Sequence, residues 1–216
     1  MAVSVIALKC PECSSRLCGF DKDRVFFCPS CRAGWEPGEA GRFEKIELSY
    51  ARPMKPPEKF RLRFYLPFYL YRLSAGCGQS PISARVAELL SRMDKVYVAG
   101  YRMTRESYFG EMALIYTEAG VILEDDKNLG DSDRARIGAG TRARDETQPY
   151  LRYYPLLIID KRQDVTDMEL CFETAFDKIW AVPFFDLGDQ IQEGILGRTF
   201  PAIALDTIAD FRKVRP

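Results

Sequence analysis

The chain has 216 residues, 47% of them hydrophobic and 29% charged, and its 31 basic and 31 acidic side chains cancel. This is the composition of a globular protein with room for one sizeable domain and a small module, and it excludes a disordered or membrane-embedded chain. Histidine is absent, which removes Ser-His and Cys-His nucleophile pairs, His-ligated metal catalysis and the usual general base near neutral pH.

Residues 1–9 are apolar but too short for a signal peptide, lack a basic leader and precede no small-residue cleavage site, so a cytoplasmic protein is expected. The richest apolar run, residues 60–73, is broken by Arg61, Arg63, Pro67 and Arg72. It falls short of the roughly 20 residues that a membrane helix requires. Seven cysteines are an odd number for a disulfide scaffold; their paired spacing fits reduced thiols that hold a metal.

Cys10-Pro11-Glu12-Cys13 and Cys28-Pro29-Ser30-Cys31 are two Cys-Pro-x-Cys units separated by fourteen residues. Two residues between cysteines let a tight turn aim both sulfurs at one point, and a second such turn completes a tetrahedral four-sulfur shell. The intervening residues suit a hairpin, with residues 24–27 as the strand entering the second turn and residues 20–23 near its tip. Residues 5–36 thereby resemble the zinc-ribbon family. The resemblance implies one structural zinc on Cys10, Cys13, Cys28 and Cys31, in a closed site without an open position for water or substrate. Iron in a rubredoxin-like site is the alternative cation, disfavoured because rubredoxin pairs lie much further apart in sequence. A redox dithiol explains one pair but not two. Many ribbons carry glycine directly after each pair; here Ser14 and Arg32 stand there, with Gly34 two places on. Cys18 reads as a hairpin residue, Cys77 as an inert loop thiol and Cys171 as a core residue.

The expected organisation is a ribbon over 1–40, a linker with an extended strand over 41–59, and an α+β domain over 60–216 made of a mixed sheet with a few packed helices. Residues 42–50 alternate as a strand. In residues 60–71 six large apolar side chains take the even positions, so a strand with an opposite Arg/Tyr surface is expected, and Pro67 argues for an edge or a bulge. A helix capped by Ser80 with Pro81 at its first position, a strand over 95–101 and a helix from Thr104 towards Tyr116 follow. Residues 121–123 are expected to be extended, residues 156–159 and 168–172 to be buried strands, and residues 188–196 and 205–211 to be short helices. Three segments, 64–69, 96–101 and 180–185, share a rhythm of apolar and aromatic residues. This reads either as convergent core composition or as strands whose aromatic ends meet.

Residues 127–148 form a polar stretch with Arg134, Arg136, Arg142 and Arg144, and a loop of this length is functional or disordered. Gly138-Ala139-Gly140 is too little for a phosphate loop. Asp131 and Asp133 read as solvated acids rather than Mg²⁺ ligands, as do Asp160, Asp186 and Glu193.

The sequence assigns no catalytic residues and indicates no small-molecule substrate. Residues 41–73 carry a net charge of +5, and Arg61, Arg63, Tyr65, Tyr69, Tyr71 and Arg72 are the candidate partner surface, rich in hot-spot residue types. A protein-interaction or assembly role is expected first. Nucleic-acid binding through the same residues comes second, against a pI of about 6.4 that is not basic. An enzyme using carboxylate, lysine or tyrosine chemistry comes third.

Overall fold

The computed structural model describes residues 8–38, 42–77, 82–103, 106–166 and 169–213. The strands are β1 (Phe26–Cys28), β2 (Ala33–Pro37), β3 (Phe43–Tyr50), β4 (Leu62–Cys77), β5 (Lys95–Ala99), β6 (Leu170–Asp186), β7 (Gln190–Glu193) and β8 (Thr199–Pro201). They form one mixed sheet in the order β1-β2-β3-β6-β4-β5, with β7 on β6 and β8 on β7. The helices are α1 (Ala84–Arg92), α2 (Glu106–Glu118), α3 (Asp131–Arg134), α4 (Gln148–Asp160) and α5 (Ile208–Lys213), so the fold is α+β.

The spine is the antiparallel pair β4–β6, running from Leu62 opposite Asp186 to Cys77 opposite Leu170 with one bulge, where Leu70 faces Lys178 and Tyr71 faces Phe176. Burial on both faces is confined to residues 64–71 of β4 and 179–186 of β6; towards Cys77 and Leu170 the pair is largely exposed. Phe64, Leu66, Phe68 and Leu70 pack on one face and Tyr65, Tyr69 and Tyr71 on the other, all within the core. On the first face Phe68 stacks on Tyr116 of α2 and Phe64 lies against Phe211 of α5. The three rhythmic segments lie side by side on β4, β5 and β6. Phe64, Phe68, Tyr101 and Phe184 form one ring cluster in mid-sheet, not at an edge.

Pro67 lies on a central strand, contrary to expectation, and pairs with Ala181. Its carbonyl accepts from Gly100 N–H, so its missing N–H would point to the β5 side, beyond the last β5 pair at Phe68. On that side the next contact is the bridge from Tyr65 to Ile137. Pro183 repeats the device on β6, between the β3 pairs at 179–181 and the β7 pairs at 184–186. Each proline stands where one neighbouring strand ends and another begins, so no ladder bond is lost.

β3 is the strand expected over residues 42–50, and it is built into the sheet rather than set between two separate units. Its first half pairs antiparallel with β2 and its last three residues pair parallel with β6, so the cysteine module and the body share one strand. Residues 156–159 belong to helix α4, which accommodates Pro155. Residues 190–193 form strand β7 where a helix was expected. In α1 the cap is Ser83, whose hydroxyl accepts from Val86 N–H at 3.3 Å; Ser80, Pro81, Thr104 and Met168 lie outside the described residues. Among the described residues no helix is long and apolar enough to cross a membrane.

A candidate metal centre and the strap that clasps it

The Sγ atoms of Cys10, Cys13, Cys28 and Cys31 all lie within 4.8 Å of one another. Cys10 and Cys31 are 3.8 Å apart and Cys13 and Cys28 are 3.6 Å apart. A tetrahedral shell with metal–sulfur bonds of about 2.3 Å has edges of about 3.8 Å, so the four sulfurs fit one metal ion. Each turn is built locally. Ser14 N–H donates to the Cys10 carbonyl at 2.9 Å, Cys10 N–H to the Ser15 carbonyl at 2.8 Å, and Cys31 N–H to Cys28 Sγ at 3.3 Å. Ser14 and Arg32, where ribbons often carry glycine, adopt φ of 60° and 51°. The left-handed turn is thus made at a cost of about 1 kcal/mol each.

Cys10, Leu17, Cys28, Ala33 and Trp35 form a small apolar cluster around the site. Strand β1 alternates, so Phe27 enters the main core while Cys28 faces the sulfurs. Cys18 bridges Phe27 in the hairpin, as its position suggested. Cys171 is exposed rather than buried, and Cys77 ends β4 opposite Leu170.

The polar stretch 127–148 is an ordered strap, and it explains the fate of the Arg/Tyr surface. Tyr65, Tyr69 and Tyr71 are buried because the strap lies over them. Tyr50 Oη donates to the Arg134 carbonyl at 3.1 Å, Tyr65 N–H to the Arg136 carbonyl at 2.9 Å, Tyr69 Oη to the Arg142 carbonyl at 2.7 Å and Tyr71 Oη to the Arg144 carbonyl at 3.4 Å. The strap's arginines thus serve the sheet through their backbones. This corrects the expected surface: the tyrosines are core, Arg61 and Arg72 are exposed, and Arg63 is half-buried in a pair with Asp133. Asp131 is solvated, as expected, beside Arg134, whereas Asp133 is half-buried in pairs with Arg63 and Arg136.

On its other side the strap meets the cysteine module. Arg32, the residue after Cys31, pairs with Asp125 at one end. Arg144 at the other end donates from its N–H to Glu36 at 2.7 Å and from its guanidinium to Glu44 at 2.8 Å. Between them the Gly140 carbonyl accepts from Arg24 and Val25 N–H at 2.6 and 3.0 Å. A Cβ on Gly140 would lie 2.6 Å from the Val25 carbonyl oxygen, so that contact requires glycine, and one on Gly138 would lie 2.7 Å from the Phe20 ring and displace it. Burial raises the Glu36 carboxyl against the pull of the Arg144 N–H.

Two carboxylates read as solvated are buried. Asp186 holds Arg212 through two bonds of 2.8 and 2.9 Å and accepts from Gly188 N–H at 2.8 Å. Burial pushes its carboxyl up, but Arg212 and Gly188 outweigh it and the net shift is down. Glu193 is fully buried, accepts from Tyr116 Oη and from Ile195 and Leu196 N–H, and is raised by that burial. It ties the β7–β8 turn to α2, a structural task. The local N–H partners follow each residue by two or three positions, but Arg212 and Tyr116 lie on other elements, so the sequence around either carboxylate does not signal its burial. Asp160 is exposed. An open groove of about 720 Å³ lies between α1 and the end of α2; its Glu118 is paired with Lys161 and Arg162, its Arg92 with Glu88 and its Lys95 with Asp94. Comparison of the chain with protein-family models, curated proteins and solved structures finds no match.

Proposed function

We propose that Cys10, Cys13, Cys28 and Cys31 hold one zinc ion with a structural role, and that the protein serves as an interaction or assembly module. The observation that carries this reading is the set of four sulfurs spaced as the edges of a single tetrahedron. Four protein thiolates close the shell, so a bound ion would cross-link the two turns and leave no position for substrate. Zinc is preferred because the sites of zinc-ribbon proteins, which residues 5–36 resemble, use this ligand set at this spacing. The long strap, fully engaged in bracing the module against the sheet, fits a rigid scaffold better than a mobile catalytic loop. Pairing of Arg63, Arg134, Arg136 and Arg144 with carboxylates weighs against nucleic acid as the partner.

Purification of the native protein from its host under mild conditions tests both parts. One equivalent of zinc per chain and recovery within a complex are expected. Iron in place of zinc overturns the metal assignment, and recovery only as a free monomer overturns the interaction role.

A further inference from the structure

Residues 52–61 connect β3 to β4 and read Arg-Pro-Met-Lys-Pro-Pro-Glu-Lys-Phe-Arg. Of their side chains only Pro53 and Pro57 are half-buried; the rest are exposed. The backbone is nevertheless fixed. Arg52 N–H donates to the Glu124 carbonyl, Met54 and Lys55 N–H both donate to the Gly194 carbonyl, and Arg61 N–H donates to the Asp186 carbonyl, each at 2.8 Å. Gln192 Nε2 donates to the Lys55 carbonyl at 2.9 Å. Three prolines restrict φ between these anchors. The segment is a rail anchored at both ends, with Lys55 beside Gly197, Arg61 beside Gly188 and most of its side-chain surface exposed.

Its cations stand apart from most others in the molecule. Arg32, Lys45, Arg63, Arg72, Arg134, Arg136, Arg144, Lys178 and Arg212 each have a carboxylate partner. Arg52, Lys55, Lys59 and Arg61 form no ion pair among the described residues, and Glu58 is the only acid between them. Two of the few large apolar side chains left at the surface lie on the same rail: Met54 is 64% exposed and Phe60 48%. The Phe60 ring rests edge-on against Phe185, 4.9 Å between centroids, which holds its remaining face outward.

We propose that residues 52–61 are the docking surface of the interaction role proposed above, and that the partner is an extended acidic protein segment with apolar side chains between its carboxylates. Charge complementarity selects the acid, since four cations against the single Glu58 in ten residues, with only Arg61 near another carboxylate (Asp186), attract it and set its register. Met54 and Phe60 supply the apolar anchors that a phosphate backbone has no use for. Prefixing the rail by prolines and hydrogen bonds lowers the ordering cost of binding.

The test uses the full zinc-loaded chain and fluorescence anisotropy at low salt. The probes are a decapeptide alternating Glu with Leu and Phe, the same peptide with Gln for Glu, and a single-stranded oligothymidylate. The Glu peptide is expected to bind, the Gln peptide to bind at least about tenfold more weakly, and binding to fall with added salt. The paired variant Lys55→Glu with Lys59→Glu, and separately Phe60→Ser, are each expected to weaken binding about tenfold or more. Lys55 and Lys59 are exposed and Phe60→Ser removes only the contact with Phe185; an unchanged circular dichroism spectrum and zinc content check that the fold is retained. Absence of binding, binding untouched by either variant, or tighter binding of the oligothymidylate each overturns the proposal. If the peptide fails while the native protein still co-purifies with a partner, the rail falls and the interaction role stands. If neither occurs, both fall.

Discussion

The Tyr69 hydroxyl donates to the Arg142 carbonyl at 2.7 Å across 73 residues of chain. That bond is one of four that turn an alternating strand face into buried core. A strap with only a few buried apolar residues, Leu129, Ile137, Ala139 and Ala143 among them, cannot hold itself by burial alone. It is fixed by tyrosine hydroxyls from below and by the cysteine module from above.

Tyr69→Phe should therefore destabilise the protein by about 1 kcal/mol, the net value of one such bond plus the carbonyl left unpaired. Urea unfolding checks this through a lower midpoint at unchanged slope. A shift within error of wild type would mean that the strap is held without its tyrosine ties.

Metal removal should reach well beyond the cysteines. Chelation is expected to speed amide exchange in residues 8–36 and, by about tenfold or more, in residues 124–147, because the Arg32, Glu36 and Gly140 contacts go with the module. The β4–β6 pair should stay protected. Hydrogen exchange with mass spectrometry separates these segments, and a strap that exchanges as slowly as in the loaded protein would break the link.

Asp23 sits at the tip of the cysteine hairpin, accepts from Phe20 N–H at 2.9 Å and is buried. Burial pushes its carboxyl from an ordinary 3.8 up to about 6, while backbone N–H groups of Phe20, Gly140 and Ala139 pull the other way. The folded state therefore holds this proton more tightly than the unfolded chain. Its stabilising effect is full below 3.8 and is lost as pH rises through about 6. Asp23→Asn should raise stability at pH 8, by up to about 2–3 kcal/mol, and leave it unchanged at pH 3. Thermal melts at the two pH values decide it; a variant less stable at pH 8 would refute the reading.

Asp186 has the opposite sign. Its carboxyl is held below the ordinary 3.8 despite burial, by Arg212 and Gly188. The stability it contributes is present at neutral pH and disappears as pH falls below that range. Arg212→Ala should cost about 2–3 kcal/mol at pH 7, since it leaves a buried carboxylate with one N–H partner, discounted for the solvent exposure of the arginine. The cost should shrink in acid. Denaturant midpoints at pH 7 and pH 3 measure it, and an equal loss at both would assign Arg212 a packing role only.

The local features were legible in the sequence because local chemistry decides them. Two residues between cysteines dictate a turn, and period-two alternation over residues 60–71 dictates a strand, whatever surrounds them. The four ligands, β3, β4, β5 and α2 all follow from such patterns. Tertiary structure decided what those patterns face. Alternation states that Tyr65, Tyr69 and Tyr71 share a side, but only the strap, arriving some seventy residues later, makes that side an interior. Asp186 and Glu193 look solvated until Arg212 and Tyr116 are brought to them. Residues 190–193 take strand form because β6 offers an open edge, and residues 156–159 take helical form because neighbouring elements bury one side of α4. The clustering of four sulfurs was set by the spacing of the cysteines. Its clasp on a strap a hundred residues away was set by the fold, because an ion pair such as Arg32–Asp125 requires proximity that no sequence period encodes.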